Sequence, residues 1–190
     1  AKVGMPPTLL WGYIGVLIFM MGDGLELAWI SPYLVDQGLS VHQTAILTTS
    51  YGVTIAIGSW LSGVLVESFG PRKVMLLGTG LYIIGHAIFV GFAIPALNYE
   101  LMIPSYAIRG FGYPLFAYSF LVWVAYRSPQ KRLGAAVGWF WFVFTGGLSV
   151  LGAYYSSFAI NVFGHFATLW TAIIWVLIGT FLAVFVNKDE

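Results

Sequence analysis

Long runs free of acid, lysine and arginine alternate with short polar breaks along the whole chain. Thr44 to Val66 is one such run of 23 residues, and Val74 to Tyr99 is another of 26. A helix that crosses a bilayer needs about 20 mostly apolar residues at about 1.5 Å rise each, so each run predicts one span. The pattern predicts helices over 8–33, 44–66, 71–95 and 100–126, the last interrupted by Arg109. From Leu133 to Asn187 there are 55 residues with no acid, lysine or arginine. That is too long for one helix and right for two. The break is expected at Asn161-Val162-Phe163-Gly164-His165, giving 132–160 and 163–187. The expected fold is therefore an all-α membrane protein with six transmembrane helices.

Composition agrees. Only 8% of the residues are charged and 59% are apolar, with a mean hydropathy of +0.89; a soluble domain carries about 25% charged residues. A water-facing globule of this composition would precipitate. The net charge of +1 and the lack of a basic stripe give no reason to expect a nucleic-acid partner. There is no cysteine, hence no disulfide framework and no thiolate metal site. The first apolar run is too long for a signal peptide and lacks a small-residue cleavage pattern after it.

The basic residues orient the spans. Of eight Lys and Arg, Lys2, Arg72, Lys73, Arg127, Lys131, Arg132 and Lys188 fall in the two tails, loop 2–3 or loop 4–5. The other loops carry Asp36 and Glu100 instead. By the positive-inside rule, six spans with both termini cytoplasmic fit without exception, whereas five or seven would put Lys2 and Lys188 on opposite sides. Trp11, Trp29, Tyr33, Tyr99 and Tyr126 suit interfacial belts. Gly52, Gly58, Gly63 and the Gly134/Gly138 pair suit close helix packing, because lipid supplies no hydrophobic drive for helix association.

The break between the second and third helices reads Gly63-Val64-Leu65-Val66-Glu67-Ser68-Phe69-Gly70-Pro71-Arg72-Lys73. Gly70 suits a left-handed helix C-cap and Pro71 the first turn of the next helix. Glu67 is expected to pair with Arg72 or to sit near the positive end of the third helix. The spacing resembles the helix 2–3 motif of the major facilitator superfamily, Gly-x-Leu-Ala-Asp-Arg-x-Gly-Arg-Arg/Lys-Arg/Lys. Glu67 stands for its Asp, Ser68 for an Arg and Pro71 for a base. In that superfamily the loop docks two six-helix halves on the cytoplasmic side and biases the outward-open state. The resemblance implies that gating role for Gly63, Glu67, Gly70, Arg72 and Lys73.

Ile108-Arg109-Gly110-Phe111-Gly112-Tyr113-Pro114 also resembles the Arg-x-x-x-Gly stretch of the superfamily's fourth helix. The antiporter motif of its fifth helix is not met, since this chain has Gly146-Gly147 there but no proline. The Pro-Glu-Ser-Pro-Arg signature of the sugar porters after helix six is absent too. Within the superfamily, Met21-Gly22-Asp23-Gly24-Leu25-Glu26 and the stretch from Gly110 to Phe116 look most like the bacterial polyol permeases, which take up ribitol or D-arabinitol. The resemblance implies two inverted three-helix repeats and the inner membrane of a bacterium. It also implies that the chain is the N-terminal half of a twelve-helix transporter. Its partners would then be lipid, a small polar solute, and a second six-helix half or a second copy of itself. Truncation is the expected reason that the chain stops where a central loop would begin.

Four ionisable groups lie at membrane depth: Asp23, Glu26, His86 and Arg109. Counting from the outer helix ends at helical rise, Asp23 is about 15 Å down and Arg109 about 13–14 Å down. Such groups face a cavity or one another, so an Asp23–Arg109 pair is expected. A carboxylate between apolar surroundings, which favour its neutral form, and a cation, which favours its charged form, is suited to switching. That makes Asp23 the expected proton carrier of a symporter and Arg109 its partner, against the simpler reading of a permanent structural salt bridge. Glu26, a turn away, is expected either to bind substrate hydroxyls or to reach toward the outer mouth; His86 is a candidate proton relay, but the peripheral place of the third helix in the superfamily implies a packing histidine instead. A polyol offers hydroxyls and a C–H face, and suits a few polar groups among aromatics. Tyr113, Phe116, Trp139 and Trp141 are the candidates, with Tyr118 beside them.

No cofactor is expected, the proton gradient being the driving force, and no metal ligand set stands out. Two rivals remain open at this level. An intramembrane enzyme would need a constellation such as HExxH or GxSxG, which the chain does not contain. A channel or self-assembling six-helix protein would show conductance in place of saturable coupled uptake.

Overall fold

A computed structural model describes residues 5–27 and 29–186. Lys2, Lys188 and Asn187, which enter the orientation argument and the sixth span, lie outside the described residues. Among the described residues there are helices and turns and no strand.

The first span is not continuous. A 3₁₀ turn over Pro7–Leu9 leads into α1 (Leu10–Gly24), the chain then turns, and α2 (Ile30–Gln37) follows. Next comes α3 (Val41–Phe69), a rod of 29 residues, or about 43 Å at helical rise. It starts three residues before the expected 44 because Ser40 forms a capping box with Gln43. The Ser40 hydroxyl accepts from the Gln43 N–H at 3.0 Å, and the Gln43 side chain accepts from the Ser40 N–H at 2.8 Å; two otherwise unpaired donors are satisfied at once.

Pro71 opens α4 (Pro71–Ile88), which loosens into a π turn over Phe89–Ala93. The fourth span is also cut: α5 (Tyr99–Arg109), a turn, a π segment over Pro114–Tyr118, then α6 (Ser119–Arg127). The rest is a 3₁₀ turn over Gln130–Arg132, α7 (Leu133–Thr145), a π segment over Gly146–Leu151, α8 (Gly152–Thr180) and a final π segment over Phe181–Val186. Four stretches are long and apolar enough to cross a membrane: Pro7–Gly24, Val41–Phe69, Pro71–Ala93 and Gln130–Val186. The stretch after Asn98 falls short because its turn divides it. The last of the four has 57 residues and bends inside α8 at Gly164 (φ 83°, ψ 168°), within the break expected between the fifth and sixth spans.

Gly70 between α3 and α4 has nearly the same backbone, φ 84° and ψ 160°. The positive φ agrees with the sequence reading. The ψ does not: this is the extended glycine-only region, not the left-handed helical cap. It lets α4 start at once with Pro71.

Close approach relies on glycine where α1 meets α8. A Cβ on Gly15 would lie 2.5 Å from the Gly179 carbonyl oxygen, and one on Gly179 would lie 2.5 Å from that of Gly15. The glycines picked from the sequence for packing behave differently. Gly58 lies 3.2 Å from Pro114 by the same measure, but Gly52, Gly63, Gly134 and Gly138 have nothing within 4 Å. Spacing alone cannot say which face of a helix meets a neighbour in this chain. Around the glycine contacts, Phe19, Tyr82, Phe116, Phe120 and Phe140 form the core, and the Tyr13 hydroxyl donates to the Ala136 carbonyl at 2.8 Å. The periphery is apolar, with Trp60, Phe142 and Tyr154 largely exposed, as lipid-facing residues are.

Candidate functional site

Two broken helices bring the membrane-depth charges together. α1 stops at Gly24, where the backbone of Gly152 approaches. The carbonyls freed by the stop are taken up locally: the Trp29 indole donates to the Leu25 carbonyl at 2.8 Å, and the Ile30 N–H donates to Glu26 at 2.9 Å. α5 stops at Arg109, before Gly110, Gly112 and Pro114. Proline has no N–H to donate back to residue 110, so the helix cannot run straight through. The Gly110 N–H donates to the Tyr106 carbonyl at 3.0 Å and closes the end. Both breaks present acids and the base to one buried volume.

Arg109 is at its centre, 1% exposed. Its Nη2 donates to the Asp23 carbonyl oxygen at 3.0 Å and to Asp23 Oδ1 at 3.3 Å. Its Nη1 pairs with Glu26 Oε1. The Tyr51 hydroxyl donates to Asp23 Oδ1 at 2.8 Å. The guanidinium carbon lies 4.9 Å from the ring centre of Tyr82, 5.3 Å from Tyr106 and 5.4 Å from Tyr51. Tyr51 and Tyr106 stack at 4.4 Å, and Phe89 backs Tyr106 at 4.7 Å. One cation is therefore held by two carboxylates and three aromatic faces. Counted with both acids ionised, the cluster carries a net charge of −1.

The expected Asp23–Arg109 contact is thus present. Glu26 is not at the outer mouth: it is 2% exposed and paired with Arg109, because α1 has ended and the turn carries it back over the cluster. His86 is fully buried, and its Nε2 meets the Leu169 carbonyl oxygen. Phe116 is also fully buried and stacks on Phe19 at 4.1 Å. In this structure it packs as a core ring.

The other aromatic candidates divide. Tyr113 joins Tyr118, Phe144 and Trp141 in one cluster, with Tyr113 5.6 Å from Phe144 and Trp141 6.1 Å from Tyr118. Trp141 is exposed at its edge. Trp139 lies apart, in a groove with Ala135, Gly138 and Phe142. None of these rings lies over Arg109. The three tyrosines that do, Tyr51, Tyr82 and Tyr106, were missed in the sequence; the signal available was a tyrosine one turn before Arg109 on its own helix and a tyrosine on each of two neighbouring helices.

The loop between α3 and α4 differs from expectation. Among the described residues there is no Glu67–Arg72 ion pair; Glu67 is exposed. Arg72 turns inward, donates from Nη1 to the Val184 carbonyl at 2.8 Å and lies 5.1 Å over the Trp123 ring. Arg72 and Lys73 line a cavity of about 270 Å³ with Phe69, Gly70, Trp123 and Arg127. A Cβ on Gly63 would meet nothing within 4 Å among the described residues. Among the described residues no cluster of three or more His, Asp or Glu is placed to hold a metal.

An all-helical bundle that is apolar outside and collects its charges where two helices break has the build of an integral membrane transporter with discontinuous helices. The chain belongs to the Major Facilitator Superfamily, whose family model matches residues 12–188. It is 57% identical over its whole length to an alpha-ketoglutarate permease of Bacillus subtilis. It is 41% identical to a D-arabinitol transporter and 40% identical to a ribitol transporter of Klebsiella pneumoniae, over 96% and 95% of the chain. The chain spans 43%, 43% and 42% of the lengths of these relatives. They are named as permeases and transporters, and the family is not one of enzymes.

Proposed function

We propose that this chain is the N-terminal six-helix half of a secondary transporter that carries a small polyol with a proton. The spans would be two inverted three-helix repeats, 1–3 and 4–6, with both termini cytoplasmic, in a bacterial inner membrane. The matching extended glycines at Gly70 and Gly164, each between the second and third members of a repeat, support that division. So does the length of the relatives, which leaves room for a second half of similar size.

The single observation that carries the reading is the Asp23–Arg109–Glu26 cluster. A net −1 charge inside a bilayer is costly, and one proton on Asp23 brings it to zero. Arg109, still held by Glu26 and the tyrosines, is then free to release Asp23 while the halves rock around the site. A neutral polyol adds no charge to this step. Its hydroxyls would be met by groups around the cluster, and its C–H face by Tyr113 and Trp141.

A second reading is favoured by the 57% identity to the alpha-ketoglutarate permease: a small dicarboxylate. In this half Arg109 is the one arginine or lysine at membrane depth, and two acids already hold it. A dicarboxylate would therefore need cations from the second half.

The test is uptake by the full-length carrier in proteoliposomes under an imposed pH gradient, with labelled ribitol, D-arabinitol and alpha-ketoglutarate. Asp23→Asn is expected to abolish accumulation while leaving solute exchange across the membrane. Undiminished accumulation by Asp23→Asn would remove the coupling role, and uptake of alpha-ketoglutarate alone would replace the polyol.

A further inference from the structure

The coupling cluster is held from behind by a histidine that the proposed transport step does not use. α4 lies directly against the Arg109 backbone: a Cβ on Gly85 would be 2.5 Å from the Arg109 nitrogen. On either side of Gly85 are Tyr82 and His86, one turn apart on a shared face. Tyr82 puts its ring 4.9 Å from the Arg109 guanidinium. His86 is nearly parallel to that ring at 14°, with centroids 5.4 Å apart. Tyr82 thus contacts both Arg109 and His86.

The His86 end of these contacts is anchored. A carbonyl oxygen only accepts, so the hydrogen between His86 and Leu169 must be on Nε2, which fixes the tautomer. Leu169 is in α8 just beyond the Gly164 turn. The Tyr82 hydroxyl has no hydrogen-bond partner among the described residues, so Tyr82 serves the cluster through its ring. An aliphatic residue in place of His86 would fill the space, but it would neither fix the ring plane nor reach the α8 carbonyl.

We propose that His86 is a positioning residue. Through its bond to the Leu169 carbonyl it holds Tyr82 against Arg109, and it transmits any change of partner by Arg109 to the helix that follows the Gly164 turn. The role rests on the reading of the cluster as the coupling site.

Two measurements on the full-length carrier in nanodiscs or proteoliposomes test it. The first is amide hydrogen exchange at 20–27 and 105–113, the two breaks that carry the cluster. His86→Ala should raise exchange there about tenfold, the equivalent of one lost hydrogen bond, and Tyr82→Leu should do the same. His86→Gln, whose amide reaches the same carbonyl, should restore protection. The second compares solute exchange with accumulation driven by a pH gradient. His86→Ala should keep exchange and lose accumulation about tenfold, with recovery in His86→Gln. Unchanged amide exchange in His86→Ala would overturn the proposal, and so would parallel loss of solute exchange and accumulation, the mark of a purely structural residue. If the unmodified carrier exchanges solute but never accumulates it, the coupling reading fails, and amide exchange still decides whether His86 positions the cluster.

Discussion

Two arginines of this chain meet opposite fates. Arg109 was expected to pair with Asp23, and Arg72 was one of two expected partners for Glu67, the other being the positive end of the third helix. Arg109, deep in the bundle, takes two carboxylates and three tyrosine faces. Arg72, at the edge of the apolar region, leaves its acid in the open and turns to a backbone carbonyl and a tryptophan. The difference is one of dielectric. Where water is absent, an unpaired charge costs several kcal/mol, so pairing is compulsory. Where water reaches both partners, an ion pair contributes about 0–1 kcal/mol. A carbonyl dipole and an aromatic face then compete with a carboxylate on equal terms. Depth, more than sequence distance, decides which charges meet.

The largest effect should come from the deep arginine. Arg109→Leu leaves Asp23 and Glu26 as uncompensated buried acids, a cost of about 3–5 kcal/mol. It should eliminate folded protein from the membrane, as read by thermal melting after mild extraction. Adding Asp23→Asn and Glu26→Gln to it should recover part of the loss. A wild-type melting curve for Arg109→Leu alone would end the contrast between the two sites. Next is Gly85→Ala. Its new Cβ would meet the Arg109 nitrogen at 2.5 Å and the Ser105 carbonyl oxygen at 2.7 Å, both backbone atoms that cannot swing aside, and about 1–3 kcal/mol of overpacking should follow. Arg72→Ala removes the bond to the Val184 carbonyl and the contact with Trp123 and should cost at least about 1 kcal/mol, visible as a drop in melting temperature. Glu67→Gln should be the mildest, with no measurable change in melting at low or high salt. A clear, salt-dependent loss would mean that the shallow acid is paired after all and would narrow the contrast.

α8 repeats the contrast on its two sides. Against α1 it uses glycines and bare backbone, Gly179 on Gly15. Against α4, α8 and the π segment that follows it use polar contacts at three levels: Arg72 to Val184, Thr79 to Thr180 at 2.6 Å, and His86 to the Leu169 carbonyl. The three α4 residues recur every seven, which keeps them on one face. Glycine contacts allow close approach, whereas directional bonds fix register.

Much of this was legible beforehand where the physics is local or additive. The helical rods follow from run length, and Gly164 falls in the expected break because only glycine takes that backbone easily. Asp23 and Arg109 could be matched because depth is a count of residues at fixed rise. Glu26 was left between two roles because the count assumes a straight helix, whereas α1 ends at Gly24, where the backbone of Gly152 is close. Phe116 and Tyr113 are close in sequence and chemically alike, yet one stacks in the core and the other joins the partly open aromatic cluster. Aromatic content carries no such information.

The sequence by itself determined that this is an apolar helical membrane protein, which family motifs it bears, and which few charges must be reconciled inside it. Those properties are sums over neighbours along the chain. Tertiary structure decided which partners each charge received, that three tyrosines enclose Arg109, and that a Cβ on four of the marked glycines would meet nothing among the described residues. Those outcomes depend on which helix faces meet and where helices break, and both are settled by packing between residues far apart in the chain.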